Sequence, residues 1–373
     1  MSDYLGSEIK KLGFGLMRLP TIGDEIDLEQ TKQMVDTFMS KGFTYFDTAY
    51  VYSGGKSEAA AKAALVDRYP RESFQLATKL PLWSVDDPAE MQKMFDTSLE
   101  RTGAGYFDFY LLHSLSRTVV DRLDKLGAWD FIQKLKKEGK IKHAGFSFHD
   151  TAEMLDELLT AHPEVEFVQL QINYADWESE NVQSRKCYEV ARKHGKPVII
   201  MEPVKGGSLA TMTPQVQEIF KKANPDASVA SWAVRFAASH EGIITVLSGM
   251  SNMEQLNDNV SFMENFKPLD EAEQKVIDQV VEILNNTPTI PCTECRYCVD
   301  GCPMKINIPK IFRDCMNYVS VYGNEEQGRK RYEKHTQDGG KASECLHCGN
   351  CEMHCPQHIE IMSMLEKAAE KFE

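Results

Sequence analysis

Between residues 12 and 249 the chain repeats one pattern, short apolar runs separated by charged segments with helical spacing. The runs fall at 12–16, 43–48, 74–80, 107–113, 142–148, 167–174, 197–204 and 243–249. They are almost continuously apolar rather than alternating, as parallel strands covered by helices are. The segments between them carry helix punctuation. Asp27-Leu-Glu-Gln30 reads as the capped start of a helix through Met39, with Gly42 as its stop. Residues 179–194 read as another helix, ended by Gly195 just before Pro197. Regular alternation favours either a barrel or a doubly wound sheet, and eight runs favour the barrel. The expected fold class is therefore α/β, a (β/α)8 TIM barrel over residues 1–290.

The pattern then changes. A helix-like stretch, 270–286, leads into the turn-rich Asn286-Thr-Pro-Thr-Ile-Pro291. Of ten cysteines, nine fall between Cys292 and Cys355, and only Cys187 lies earlier. This break sets the expected boundary, with a second, mostly helical domain over residues 291–373.

Composition narrows the function classes. A hydrophobic content of 42% and a charged content of 26% are ordinary for a globular protein. A formal net charge of −14 argues against nucleic acid or an anionic membrane as a partner. The first residues lack the basic start and apolar core of a signal peptide, and no apolar run approaches the roughly 20 residues of a membrane span. The expected location is the cytoplasm. Clustered cysteines there point to metal rather than to disulfides.

The ends of three runs carry reactive groups. The second delivers Asp47, followed in the loop by Tyr52; the third ends on Lys79 and the fourth on His113. Different polar side chains at the C-terminal ends of successive strands are how such a barrel builds an active site. Reducing a carbonyl requires a proton at oxygen as hydride reaches carbon. A tyrosine donates poorly unless its pKa, ordinarily about 10, is lowered. A neighbouring lysine ammonium lowers it, an aspartate keeps that lysine charged, and a neutral histidine can hold the carbonyl oxygen. Singly, each residue also fits a solvated rim or a structural role. Tyr50 competes with Tyr52 for the acid.

Asp47-Thr-Ala-x-x-Tyr52, Lys79 after Leu-Ala-Thr, and Tyr-Leu-Leu-His113 resemble the catalytic tetrad of the aldo/keto reductase family. Gly145-Phe-Ser147, Gln171-Ile-Asn-Tyr174 and the segment from Gly249-Met-Ser251 to Asn259 follow the same family's order. The resemblance covers residues 1 to about 290 and implies Tyr52 as general acid, Lys79 and Asp47 as its tuning pair, and His113 as the group orienting the carbonyl. It also implies a nicotinamide nucleotide, NADP(H) or NAD(H), near Ser147, Gln171, Met201, Gly249, Ser251, Gln255 and Asn259. Here the chain departs from the family. Met201 stands where an aromatic residue stacks on nicotinamide, Phe148 replaces an amide-binding Asn, and Gly249 and Gln255 occupy positions that elsewhere grip a 2′-phosphate. Lys205 with Gly206-Gly207 could meet a phosphate, or form a plain surface turn. Gly54-Gly-Lys-Ser57 ends like a phosphate-binding loop but has Tyr50 where the first glycine is required.

The second domain carries Cys292-x2-Cys295-x2-Cys298-x3-Cys302-Pro303 and repeats it as Cys345-x2-Cys348-x2-Cys351-x3-Cys355-Pro356. Three thiolates at two-residue gaps suit the corners of a cubane, with the fourth serving a neighbouring cluster. The repeat resembles bacterial two-cluster ferredoxins. By that resemblance Cys292, Cys295, Cys298 and Cys355 hold one [4Fe–4S] cluster, and Cys345, Cys348, Cys351 and Cys302 the other. Zinc is the rival, since four-thiolate zinc sites also use paired cysteines. The stretch between Cys302 and Cys345 is longer than a ferredoxin spacer and includes a helix pattern at 309–321 bearing Cys315, read as structural like Cys187.

Hydride carries two electrons and a cluster passes one at a time, a mismatch that a flavin resolves. With Met201 and Phe148 departing from the nicotinamide pattern, FMN in or beside the barrel mouth is an expectation. The leading reading is an oxidoreductase of anaerobic metabolism acting on a carbonyl or related unsaturated small molecule, its clusters exchanging electrons with the barrel or with a redox protein such as ferredoxin or flavodoxin. Two others stay open: a nicotinamide-dependent reductase with structural clusters, and an electron-transfer or interaction protein whose barrel is not catalytic. Trp83 and Trp177, in loops 82–88 and 174–181, are candidate pocket walls or packing aromatics, beside a third candidate loop at 114–127.

Overall fold

A computed structural model describes residues 4–373. Eight parallel strands close into a barrel: β1 (Leu12–Gly15), β2 (Tyr45–Asp47), β3 (Gln75–Leu80), β4 (Phe107–Leu115), β5 (Ile141–Phe148), β6 (Phe167–Gln171), β7 (Val198–Met201) and β8 (Ile243–Ser248). Each pairs with the next, and β8 pairs with β1. All eight apolar runs thus become barrel strands. A small antiparallel hairpin, Thr21–Ile22 with Glu25–Ile26, had no counterpart in the pattern.

Side-chain alternation along each strand decides what fills the barrel. Tyr45, Ala77, Phe109, Leu111, Phe167, Ile199 and Leu247 meet in one interior cluster. Phe109 stands edge-on to both Tyr45 and Phe167, with ring centroids 5.1 Å apart in each case. The residues between them face outward: Phe46 packs edge-on to Phe38 of the helix Leu28–Ser40, at 5.3 Å. Inward parity continues from Tyr45 to Asp47, from Ala77 to Lys79, from Leu111 to His113, from Phe167 to Gln171 and from Ile199 to Met201. A filled apolar interior therefore carries, at the strands' C-terminal end, a layer that is polar except for Met201.

Helix signals are met unevenly. Asp27 accepts the Gln30 N–H and caps Leu28–Ser40 as expected. The helix expected over 179–194 is shorter, Ser184–Lys193. Gln183 takes a left-handed backbone, φ 54°, and its side chain accepts the Ala152 N–H, so the preceding residues form turns.

By packing the chain divides into two compact units, one running to Pro203 and taking in Ala230–Leu269, the other comprising Val204–Val229 and Asp270–Glu373. The second unit is helical. Its core gathers Ile306, Ile308, Ile311, Phe312, Cys315, Leu365 and Phe372, with Tyr332 stacked on Phe372 at 5.3 Å. Continuous helical segments span Ile308–Lys310, Ile311–Asn317 and Tyr318–Tyr322. The turn-rich stretch before Cys292 is pinned: the Asn317 side chain accepts from the Ile290 N–H at 2.7 Å and donates to its carbonyl at 2.8 Å. Among the described residues no helix is long and apolar enough to cross a membrane.

Candidate active site and cluster cavities

At the C-terminal end of the barrel, Lys79 is the hub. Its Nζ donates to Asp47 Oδ1 at 2.5 Å, to the Thr48 carbonyl at 2.7 Å and to the Tyr52 hydroxyl at 3.4 Å. The pair is almost fully buried, Asp47 at 2% and Lys79 at 1% exposure, while Tyr52 keeps 8%. Burial raises the Asp47 carboxyl above its usual range and lowers the Lys79 ammonium, and the attraction between the two opposes both shifts. Asp47 Oδ2 has no hydrogen-bond partner among the described residues.

His113 joins them across the pocket, its ring edge-on to Tyr52 with centroids 5.8 Å apart. Burial, then the charge of Lys79, holds its pKa well below 6.5, so it is a neutral imidazole at neutral pH. The Trp83 ring lies 5.0 Å from that of His113, centroid to centroid. Trp177 instead stacks on His240 at 4.3 Å, as a packing aromatic does.

Why Tyr52 and not Tyr50 meets Lys79 follows from the loop. The Arg101 guanidinium lies 4.4 Å over the Tyr50 ring and donates to the Tyr50 carbonyl at 3.0 Å. Arg101 also donates to buried Glu58 at 3.2 Å, and Glu58 in turn accepts from Thr78 Oγ1, beside Lys79, at 2.8 Å. A side chain at Gly55 would meet Arg101 at 2.6 Å, and its φ of 88° suits glycine. The Gly54-Gly-Lys-Ser57 turn serves this packing: Ser57 is buried against Thr48 Oγ1 at 2.7 Å and the Leu16 carbonyl at 2.9 Å. Arg101 and Glu58 escaped sequence reasoning because an Arg and a Glu on helix patterns read as solvated.

The remaining barrel candidates occupy the same rim. Ser147 Oγ accepts the Ser114 N–H at 2.7 Å. Gln171 and Asn173 both donate to the buried Asp176 carboxylate at 2.8 Å, and Asn173 also donates to the Glu202 carbonyl at 3.1 Å. Asp176 had no sequence signal beyond its place in a loop. Met201 Sδ accepts from Gln169 Nε2 at 3.4 Å. Asn259 donates to Ser248 Oγ at 2.8 Å, and Gln255 accepts the Ser251 N–H at 2.7 Å. Gly249 rests against the Arg18 side chain, where an added Cβ would meet Arg18 Cδ at 3.3 Å. Lys205 and Gly206 belong to the second unit, where Arg313 donates to the Gly206 carbonyl at 2.7 Å.

In the second unit the cysteines line two cavities of similar size. One is bordered by Cys292, Cys295, Cys298 and Cys355, with Thr293, Phe312 and Ile361. The other is bordered by Cys302, Cys345, Cys348 and Cys351, with Ile306, Leu346 and Leu365. Four thiols around a partly open, apolar-lined space suit an iron–sulfur cubane in each. Among the described residues no three His, Cys, Asp or Glu side chains close on a single metal ion. Cys187 and Cys315 are buried apart from these cavities, and burial pushes both thiols up to about 12.

Comparison with known proteins adds to this geometry. Residues 11–282 match the aldo/keto reductase family, and residues 291–360 match a 4Fe-4S dicluster domain. A probable aldo-keto reductase of Glycine max is 31% identical over 181 residues, 46% of this chain and 50% of that protein. The chain thus spans half the length of that relative. The 9,11-endoperoxide prostaglandin H2 reductase of Trypanosoma cruzi is 27% identical over 277 residues, 71% of this chain and 89% of that one. In fold, the chain resembles an aldo/keto reductase from Klebsiella pneumoniae solved with NADP and acetate, at a TM-score of 0.59 and 21% identity over 73% of this chain and 92% of that one.

Proposed function

Because the chain belongs to the aldo/keto reductase family and carries a C-terminal 4Fe-4S domain, we propose that this oxidoreductase reduces the carbonyl, or a related unsaturated bond, of a small molecule with Tyr52 as proton donor. The observation that carries the reading is Lys79, bonded at once to Asp47 and to the Tyr52 hydroxyl at the mouth of the barrel.

As Tyr52 gives up its proton, the adjacent ammonium stabilises the phenolate left behind. Asp47 keeps that ammonium charged in a place where burial alone disfavours it. His113, uncharged, orients the substrate oxygen by a hydrogen bond and leaves proton donation to Tyr52. Trp83 beside it excludes water from one wall.

Ser147, Gln171, Ser251 and Asn259 are the residues that would hold a nicotinamide nucleotide, a reading supported by the NADP in the Klebsiella structure. Asp176 fixes the Gln171 carboxamide, and the Ser147 hydroxyl, already accepting one bond, has its proton to donate. With Gly249 and Gln255 neutral, Arg18 beside Gly249 is the nearby cation on that side. Met201, unable to stack as an aromatic ring does, keeps FMN in the reading as an alternative occupant. The two cysteine quartets would hold one [4Fe–4S] cluster each. When bound, a nicotinamide would supply hydride, a flavin would convert between two-electron and one-electron transfer, and iron–sulfur clusters would supply single electrons.

A second reading, with purely structural clusters, is favoured by one observation: Cys292, Cys302, Cys345, Cys351 and Cys355 all pack against the apolar core of the second unit. Anaerobic purification with iron, sulfide and flavin quantitation, followed by assay with NADPH and NADH before and after cluster removal, separates the readings. Iron and sulfide near a four-to-four ratio per quartet with activity lost on cluster removal supports electron exchange. Zinc in place of iron removes the reading altogether, and full activity without clusters in a folded protein makes them structural.

A further inference from the structure

Residues 361–373 lie beyond the segment that matches the 4Fe-4S dicluster domain, yet they are bonded at both ends to the second cysteine motif or to the loop just ahead of it. They form the helix Ile361–Phe372. At its start Glu352, between Cys351 and Cys355 in sequence, accepts the Met362 N–H at 2.8 Å, one of the first-turn donors a helix cannot satisfy itself. Further along, buried Leu365 borders the cavity of Cys302, Cys345, Cys348 and Cys351. At the far end Phe372 stacks on Tyr332 of the helix Glu325–His335, and Arg329 of that helix donates to the Lys371 carbonyl at 2.8 Å.

Stacking needs only the Tyr332 ring, and its hydroxyl does something further. Tyr332 is 2% exposed, and that hydroxyl accepts the Ala342 N–H at 2.7 Å while donating to the Glu373 carboxylate. Glu373 also accepts from the Ser343 N–H at 3.1 Å and from the Ser343 hydroxyl. Ala342 is itself buried, and its carbonyl accepts the Cys345 N–H at 3.2 Å. One residue therefore stands between the phenol oxygen and the backbone of a cavity-lining cysteine. A phenylalanine at 332 would keep the packing and leave the buried Ala342 N–H without its partner.

We propose that the Ile361–Phe372 helix is a brace for the Cys302/Cys345/Cys348/Cys351 site, and that Tyr332 and Glu373 are positioning residues that set where Cys345 sits. Both act through Ala342 and Ser343, the residues leading into Cys345. The inference rests on the reading that each quartet holds an iron–sulfur cluster, and it concerns one quartet only: the Cys292 site should be indifferent to both residues. Groups that hold a metal ligand in place, without touching the metal, typically change its affinity by roughly 10- to 100-fold.

The test uses the full chain, purified without oxygen and with its iron in place, as wild type, Tyr332→Phe, Glu373→Ala, Glu373→Gln and Lys371→Ala. A ferrous chelator, bathophenanthroline disulfonate, draws out the iron and is read by absorbance. Low-temperature electron paramagnetic resonance of frozen samples reports which site still holds its cluster. Tyr332→Phe and Glu373→Ala should release half of their iron about tenfold or more faster than wild type, while the Cys292-site signal decays at the wild-type rate. Glu373→Gln, whose amide oxygen can still accept from Tyr332 and Ser343, should stay near wild type. So should Lys371→Ala, whose side chain on the same helix pairs with exposed Glu325 at 2.9 Å. The proposal is overturned by wild-type release in Tyr332→Phe, by equal acceleration of both halves, which would make the brace a support of the whole unit, or by a Lys371→Ala protein as labile as Glu373→Ala. Iron absent from the wild type would instead remove the cluster reading, before any variant is compared.

Discussion

Cys302 and Cys355 exchange sites. Cys302 borders the cavity of Cys345, Cys348 and Cys351, whereas Cys355 borders that of Cys292, Cys295 and Cys298. Each motif thereby lends its last cysteine to the other, and the two loops must fold together for either cavity to exist.

That crossing has a direct readout. With two cubanes the protein should contain roughly eight irons per chain. Cys302→Ala should perturb the centre of the second motif while leaving that of the first, and Cys355→Ala should do the reverse. Low-temperature electron paramagnetic resonance of the reduced variants distinguishes the two signals. A Cys302→Ala protein that loses the signal assigned to the Cys292 quartet contradicts the pairing.

Asp47 and Lys79 form a buried ion pair, so removing one partner strands a charge. Asp47→Ala is expected to cost about 3–5 kcal/mol, while the double variant Asp47→Ala with Lys79→Met should recover much of that loss. Thermal unfolding of the four proteins in a double-mutant cycle measures the coupling. Additive losses would mean that the pair contributes nothing beyond its separate members.

Tyr52→Phe removes one oxygen and leaves the Lys79 contacts to Asp47 and Thr48 in place. Turnover should fall by roughly 10²–10⁴, the usual contribution of a general acid, with nucleotide affinity and melting temperature close to wild type. Tyr50→Phe, whose ring lies under Arg101, should keep turnover. Equal losses in the two variants would reopen the assignment.

His240, packed face to face with Trp177, is held by burial at a pKa of about 4. The unfolded chain takes up its proton near 6.5 and the folded one only near 4, so stability drains away as pH falls between those values. From pH 7.5 to 5 this one group should cost about 2 kcal/mol. The sign is opposite to that of a histidine stabilised by a carboxylate. Denaturant midpoints of wild type and His240→Gln at both pH values give the difference, and parallel curves would show that His240 does not contribute.

Gly206 has φ 62°, and an added Cβ would sit 2.1 Å from the Thr293 carbonyl, between the first two cysteines of the first motif. Gly206→Ala should therefore cost about 2 kcal/mol or more and reduce iron at the Cys292 site. Gly207→Ala, also at positive φ but with open space around it, is the control for backbone strain alone. Similar losses in both would remove the packing argument.

The barrel was legible because buried parallel strands leave unbroken apolar runs, and inward parity then carried Asp47, Lys79 and His113 to one rim. The cysteine repeat was legible because spacing is a local property of the sequence, and the fold gathers four of these cysteines around each of two cavities. What stayed hidden depends on single side chains that meet far apart in sequence. Asp176 collecting Gln171 and Asn173, Arg101 reaching Tyr50, and the Gln183 side chain ending a helix early leave no periodic trace. The division by packing was equally illegible, since residues 204–229 join the second unit through contacts made long after them in the chain.

The Arg101 clamp has a practical corollary for engineering. The tyrosine loop owes its position to a guanidinium on the outer helix Pro88–Thr102 and to a carboxylate shut inside, Glu58. Random mutagenesis screened for turnover should therefore recover hits on the barrel's outer ring that touch no ligand, and these would be mistaken for long-distance effects when they simply unfasten a loop.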